Sequence, residues 1–262
     1  MKLFDLQGKV AIVTGGYGHL GRAMVRALLD VNAKVIVAGR SEEKFLCAFS
    51  EDECSVLSFK KIDINQGQEI NTFFADIQTE FGRVDVLVNN ATSSRGISQE
   101  TMPDEDWTYT FEGVVGSVHK TIKAVIPVMK QQKSGKIINI SSMYGIVSPD
   151  FSALYKGDDC EIYLNPPHYG AAKAAMNQLT RYFAVLLGPY NIQVNAIAPG
   201  PFPSSEIQKN NPEFINRLKK KNPLNKIGRP EDLAGLVTLL SSSASDFITG
   251  QIIQVDGGWT IW

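Results

Sequence analysis

The sequence has little cysteine: Cys47, Cys54 and Cys160 are the only three in 262 residues. An odd count without metal-ligand spacing offers neither a disulfide framework nor a metal site, so free thiols in a reducing, cytoplasmic compartment are expected. Histidine is equally sparse, with three residues. Neither sign of charge dominates: 26 Lys and Arg face 27 Asp and Glu, interspersed, for a net charge of −1. That balance points away from nucleic acid and from an anionic membrane surface. No apolar run approaches the roughly 20 residues that a spanning helix needs. The opening Met1-Lys2-Leu3-Phe4-Asp5 has no long apolar stretch and is not expected to be a secretion signal. No repeat or low-complexity linker breaks the chain, so residues 1–262 read as one domain.

What the chain does have is 44% hydrophobic residues, 22 glycines and a regular alternation of short β-branched runs with longer helical patterns. Strands are predicted at Val10–Thr14, Lys34–Ala38, Ser55–Ile62, Val84–Asn89, Lys136–Ser141, Ile192–Ala198 and Ile252–Val255. Helices are predicted around Leu20–Asp30, Glu42–Phe49, Gln68–Phe81, Asp104–Gln132, Tyr169–Leu187, Pro212–Lys220 and Glu231–Leu240. Nearly continuous apolar strands suit a sheet covered on both faces. Alternating β and α with right-handed crossovers gives an α/β fold: a doubly wound parallel sheet of about seven strands with helices on both faces.

The first strand runs into Thr14-Gly15-Gly16-Tyr17-Gly18-His19-Leu20-Gly21. Glycines at 15, 18 and 21 permit a tight turn, close backbone approach to a pyrophosphate, and close helix–strand packing. The helix N-terminus beyond them offers free N–H groups to an anion. Thr14, Tyr17, His19 and Leu20 complete this candidate cofactor loop. After the second strand stands Gly39-Arg40-Ser41, with no carboxylate for the ribose hydroxyls of NAD. Arg40 can instead pair with a 2′-phosphate, so NADP is the expected cofactor, with NAD as the alternative. After the third strand, Asp63 and Ile64 are candidates for the adenine end, with an N-cap role as the rival reading of Asp63.

Tyr169 and Lys173 are spaced i, i+4, which puts phenol and ammonium on one face of a helix. A free tyrosine has a pKa of about 10, and a nearby cation stabilises its phenolate. Such a pair suits proton transfer in an alcohol–ketone interconversion.

With Asn89-Asn90-Ala91, Ser142, Pro199-Gly200 and Val255-Asp256-Gly257-Gly258 added in this order, the chain resembles the short-chain dehydrogenase/reductase family over nearly its whole length. The resemblance implies a Rossmann-type sheet and a catalytic set of Ser142, Tyr169 and Lys173. Ser142 would bond the substrate oxygen, with Ser141 as competitor. Tyr169 would move the proton. Lys173 would bond the nicotinamide ribose and lower the Tyr169 pKa. Asn89 would brace the central strand and line the cofactor cleft beside Ala91, while Pro199, Gly200, Phe202 and Ser204 would border the nicotinamide.

Three departures stand out. The glycine loop has His19 where compact members carry glycine, a spacing similar to that of epimerases and dehydratases. His19 is therefore expected near a phosphate or the cleft mouth. Counting seven residues from Trp107 reaches Val114, where the family often has an asparagine that helps hold a relay water. The relay must run differently here, or depend on the lysine and solvent. Ser142 and Tyr169 lie 27 positions apart, longer than the compact branch usually shows. The excess, 148–167, is expected to pass by the substrate cleft and shape it. The inserted loop and the Gly-Gly-Trp ending are similar to oxidoreductases of sugar acids and surface-glycan sugars.

Arg95, Tyr163 and His168 are the candidate substrate residues, and residues 201–225 the candidate lid. The lysines around Lys219 read first as a solvated face, with attraction of an anionic substrate as the alternative. The expected activity is an NADP(H)-dependent oxidoreductase acting on a secondary alcohol or ketone of a polar, carbohydrate-like small molecule. An epimerase or dehydratase retaining its cofactor, and a non-catalytic dinucleotide-binding regulator, are the alternatives. The apolar Leu236–Leu240 run and the tail from Trp259 read as packing, and in this family they resemble subunit contacts of a homotetramer or homodimer.

Overall fold

The computed structural model describes residues 2–96, 102–152, 154–155 and 165–261. Seven parallel strands form one sheet: β1 (Val10–Thr14), β2 (Lys34–Gly39), β3 (Ser58–Lys61), β4 (Val86–Asn89), β5 (Gly135–Ile140), β6 (Ile192–Pro199) and β7 (Ile252–Val255). Their spatial order is β3-β2-β1-β4-β5-β6-β7. The chain builds outward from β1 to β3, then returns to place β4 on the other side of β1. That reversal opens a crevice beyond the C-terminal ends of β1 and β4, where ligands bind in such sheets.

Helices cover both faces. On one face α4 (Gly67–Phe81), α6 (Ser117–Gln132) and α7 (Pro167–Leu187) bury Phe73, Ile77, Ile122, Val125 and Met176 against Ile12, Leu87 and Ile137. On the other, α1 (Gly21–Leu29) and α10 (Ala234–Ser241) bury Met24, Leu28, Val237 and Leu240 against Val13, Val88 and Ile138. Each such side chain contributes about 1.5–3 kcal/mol of burial. The predicted Leu236–Leu240 run is thus partly core, through Val237 and Leu240.

Two elements differ from the sequence expectation for local reasons. The third strand begins at Ser58 rather than Ser55, because after α2 (Glu42–Ala48) the stretch Glu51–Val56 forms a further helix, α3. Ser50 caps it: its hydroxyl accepts from Glu53 N–H while the Glu53 carboxylate accepts from Ser50 N–H. That reciprocal pair outcompetes extension of the strand. The predicted helix 104–132 is divided into α5 (Asp104–Phe111) and α6 by a π-turn at Glu112–Gly116. Ser117 Oγ donates to the Gly113 and Val114 carbonyls at 3.1 and 3.2 Å, which supplies partners at the deformation. Val114 itself is fully buried in the core.

Beyond β6 the chain forms α8 (Ser205–Asn210) and α9 (Pro212–Lys221). Helix α8 has no counterpart in the sequence reading. It starts at Ser204, whose hydroxyl accepts from Ile207 N–H. Phe214, Ile215 and Leu218 of α9 pack on Met143, Tyr144, Leu154 and Trp259 to make a small third core above the sheet.

Candidate active site

A cleft of about 650 Å³ runs along the C-terminal ends of β2, β1, β4, β5 and β6. One end is built by the glycine loop. Thr14 Oγ1 accepts from Asn90 and Ala91 N–H at 3.0 Å each, which ties β1 to the chain leaving β4. Gly15 has φ of +63°, and a Cβ there would lie 3.0 Å from Ala91 Cα. A Cβ at Gly21 would lie 2.3 Å from the Gly15 carbonyl oxygen. Backbone alone fits at both positions. The result is an open cradle at the start of α1, suited to the pyrophosphate of a dinucleotide.

Within this cradle, His19 Nε2 lies 3.1 Å from the Phe202 carbonyl oxygen. The ring thus bridges the glycine loop and the segment after β6, both of which line the cleft. The Tyr17 ring lies over Gly39, and its hydroxyl accepts from Arg40 N–H at 3.0 Å and Ser41 N–H at 3.2 Å. Gly18, Leu20, Arg40 and Ile64 also line this end.

The chemical end is held by β5 and α7. Ser142 is the second residue beyond β5, and its hydroxyl accepts from Tyr144 N–H at 3.1 Å. Burial raises the Tyr169 pKa, and the neighbouring Ser142 hydroxyl offsets part of that rise. Lys173 lies one turn along α7, with its ammonium 2.6 Å from the Ile140 carbonyl oxygen and 5.5 Å from the centre of the Tyr169 ring. Its own burial lowers its pKa to about 7. Ser141, the competitor to Ser142, is already engaged: its hydroxyl lies 2.6 Å from Asn177 Oδ1 and 3.3 Å from the Lys173 carbonyl. Ser141 therefore anchors α7 to β5.

Above this set, Met143, Tyr144, Tyr155, Asn165, Ile207, Phe214 and Leu218 close the cleft. The Tyr144 and Tyr155 hydroxyls share a hydrogen bond, and burial raises the Tyr144 pKa well above the ordinary phenol value. The described part of the inserted loop is fastened to α9. Arg217 Nε donates to the Leu154 carbonyl at 3.1 Å, and the Lys221 ammonium lies 2.7 Å from Asp150 Oδ2. These contacts were not specified in the sequence reading. The i, i+4 spacing of Phe214 and Leu218 is the signal that could have placed them on a pocket-facing stripe.

Several predicted residues stand elsewhere. Asn89 does not line the cleft: at 3% exposure it lies under the sheet surface, with Nδ2 donating to Asn139 Oδ1 at 2.9 Å. Strand alternation turns Asn90 to the glycine loop instead, where its Nδ2 donates to the Thr14 and Gly15 carbonyls. Thr14 and Gly21 support the cradle from behind, outside the cleft lining, and Ser204 caps α8. Asp63 is also outside the lining, its carboxylate accepting from Asn65 N–H at 3.0 Å in the local turn. Arg95 turns away to α5, with its guanidinium 3.5 Å from the centre of the Tyr109 ring and 3.7 Å from Asp106. His168 is fully buried beside Trp107, with Nε2 2.8 Å from the Arg95 carbonyl. Neither lines the cleft. Tyr163 lies outside the described residues. Ala91, Pro199, Gly200 and Phe202 do line the cleft.

Comparison with known proteins places this geometry in a family. A family profile described as Enoyl-(Acyl carrier protein) reductase matches residues 18–260. The 3-oxoacyl-[acyl-carrier-protein] reductase FabG of Chlamydia trachomatis is 31% identical over 256 residues, 97% of this chain and 98% of that protein. A 2-dehydro-3-deoxy-D-gluconate 5-dehydrogenase of Formosa agariphila is 34% identical over 266 residues, covering 98% and 94%. A crystal structure of a gluconate 5-dehydrogenase from Burkholderia cenocepacia, in complex with NADP and tartrate, superposes with a TM-score of 0.87 at 28% identity, covering 100% of this chain and 98% of that one. A short-chain dehydrogenase from Leptospira borgpetersenii with bound NAD+ gives 0.86 at 28% identity, covering 98% and 94%. The chain belongs to the short-chain dehydrogenase/reductase family and is an NAD(P)-dependent oxidoreductase.

Proposed function

We propose that this enzyme interconverts a secondary alcohol and a ketone on a polar, carbohydrate-like small molecule, with NADP(H) as the preferred cofactor and NAD as the alternative. The convergence of Ser142, Tyr169 and Lys173 at one end of the cleft whose other end is the glycine cradle carries this reading. When bound, the nicotinamide dinucleotide supplies hydride exchange with the carbinol carbon, and the charge of its oxidised form favours phenolate. Ser142 holds the substrate oxygen through its hydroxyl. Tyr169, kept protonated by burial, donates its phenolic proton to that oxygen in the reducing direction and accepts it in the oxidising direction. Lys173 supplies a mobile proton at neutral pH, since burial brings its pKa to about 7.

The polar substrate reading rests on the phenols of Tyr144 and Tyr155 and the amide of Asn165 in the cleft wall. The gluconate-related names of the relatives point the same way. Arg40, exposed at the end of β2, supports NADP. Tyr182, Val185 and Leu186 on α7, at 60, 81 and 44% exposure, support a homotetramer or homodimer. Free Cys47 and Cys54 are in keeping with a cytoplasmic setting.

A panel of polyols, sugar acids, keto-sugars and a 3-oxoacyl thioester, assayed with both cofactors at 340 nm, tests this reading. Net oxidation or reduction of the dinucleotide with a keto-sugar or sugar acid supports it, as does its loss in Tyr169→Phe. Turnover without net change in the dinucleotide favours the epimerase or dehydratase reading that the Gly15, Gly18 and Gly21 spacing motivates. Preference for the thioester overturns the substrate class. Arg40→Asp is expected to shift preference from NADP towards NAD, and equal affinity of the parent enzyme for both overturns the NADP preference.

A further inference from the structure

Tyr17 folds back from the glycine loop over the end of β2. A Cβ at Gly39 would lie only 2.4 Å from the Tyr17 ring, so the missing side chain at 39 is what lets the ring lie there. Phe59 of β3 flanks the ring, at 6.5 Å between centroids. The seat is specific in its polar contacts too. The Tyr17 hydroxyl accepts two backbone N–H groups in succession, from Arg40 at 3.0 Å and Ser41 at 3.2 Å.

These two amides occupy a chemically distinctive place. They are the first donors beyond β2, and Tyr17, Gly39 and Arg40 all line the cleft. In a doubly wound sheet the end of this strand is where the 2′-position of a dinucleotide's ribose is read. Convergent successive N–H groups attract an anion. Beside them the Arg40 guanidinium is exposed and forms no ion pair among the described residues. The cation is thus available to a 2′-phosphate while the amides are already satisfied by the chain's own phenol.

We propose that Tyr17 is a cofactor-specificity residue that opposes Arg40: its phenol oxygen competes with a 2′-phosphate for the Arg40 and Ser41 amides. A 2′-phosphate must displace the phenol to use those donors. A neutral 2′-hydroxyl is a weaker acceptor and leaves the phenol in place. The affinity lost to this competition therefore falls on NADP and spares NAD, which narrows the preference that Arg40 creates. This inference rests on the dinucleotide-dependent oxidoreductase reading and concerns binding rather than turnover.

Tyr17→Phe keeps the ring over Gly39 and removes only the competing oxygen. Calorimetric titration of parent and variant with adenosine 2′,5′-bisphosphate, AMP, NADPH and NADH tests the proposal without turnover. The two ligands with a 2′-phosphate should bind Tyr17→Phe roughly five- to tenfold more tightly than they bind the parent, the scale of the one neutral phenol–amide hydrogen bond that no longer has to be displaced. AMP and NADH should change by less than about twofold, because they do not contest the amides. Tyr17→Ser, which also removes the ring, should tighten the same two ligands selectively. An unchanged ratio of NADPH to NADH affinity in both variants overturns the proposal. So does selective weakening of the 2′-phosphate ligands, which would make the phenol a phosphate contact. If neither parent nor variants bind any of the four ligands, the oxidoreductase reading itself fails, an outcome distinct from an unchanged ratio.

Discussion

The Lys173 ammonium is 2.6 Å from the carbonyl oxygen of Ile140, the last residue of β5, and 5.5 Å from the centre of the Tyr169 ring. One carbonyl offsets only part of the cost of burying a charge, so its pKa falls to about 7. The family resemblance led to the expectation that Lys173 lowers the Tyr169 pKa. In the protein alone, burial acts on both groups, raising the phenol and lowering the ammonium.

This arrangement predicts a pH-dependent stability. The folded pKa of Lys173 is about 7, below its ordinary value of 10.5, so between those limits the unfolded chain binds more protons than the folded one. The parent therefore gains stability as pH rises through that window, and the penalty of the buried ammonium is complete below it. Lys173→Met has no such penalty. Without cofactor, the variant should melt at least about 3 °C above the parent at pH 6, with the gap closing towards pH 10. Parallel melting curves against pH would show that Lys173 titrates normally. Turnover should fall by about 10²–10⁴-fold in the same variant.

The adjacent serines separate a chemical role from a structural one. Ser142→Ala should lower kcat by roughly 10²–10³-fold, because it removes the donor to the substrate oxygen. Ser141→Ala instead removes the partner of Asn177 and should cost about 1–3 kcal/mol of stability while leaving kcat within a few-fold. Denaturant titration and initial rates on both variants check this division. A larger loss of kcat in Ser141→Ala than in Ser142→Ala reverses the assignment.

Much of this design is legible in the sequence because it depends on spacing along one element. The Tyr169–Lys173 turn and the β1–glycine loop–α1 unit are local, and the limits of β1 and β7 match the apolar runs. What escaped depends on which way side chains turn. Asn89 and Asn90 are chemically identical neighbours at a strand end, and only the sheet decides which one faces Gly15. Arg95 reads as a free cation until Asp106 and Tyr109 are brought beside it by α5. The strand expected from Ser55 failed because a capping box needs only Ser50 and Glu53, a signal that competes with β-branched composition.

The fastening of the inserted loop to α9 should appear in substrate affinity. Arg217 donates to the Leu154 carbonyl, while Phe214 and Leu218 of the same helix line the cleft. Arg217→Ala should raise KM roughly three- to tenfold through a less ordered wall, with a smaller change in kcat. Calorimetry should show dinucleotide affinity unchanged. A loss of dinucleotide affinity equal to the change in KM would place the effect at the other end of the cleft.

A buried polar chain ties the catalytic helix to the sheet and gives the sharpest test of side-chain direction. Thr121 Oγ1 donates to Asn89 Oδ1 at 2.8 Å, Asn89 Nδ2 to Asn139 Oδ1 at 2.9 Å, and Asn139 Nδ2 to Thr180 Oγ1 of α7 at 2.9 Å. Asn89→Asp keeps the shape but replaces the amide donor by an oxygen facing the Asn139 oxygen. Ionised, that carboxylate is a buried charge against an acceptor; protonated, it can donate the missing bond. Its folded pKa must therefore lie above the unfolded value of about 3.9, and between the two the folded state binds more protons. Stability of the variant relative to the parent should then fall as pH rises from about 5 to 8, by roughly 1.4 kcal/mol for each pH unit below the folded pKa. Urea denaturation across that range measures the slope. A deficit independent of pH would mean that the carboxylate is ionised throughout, and that water rather than Asn139 faces position 89.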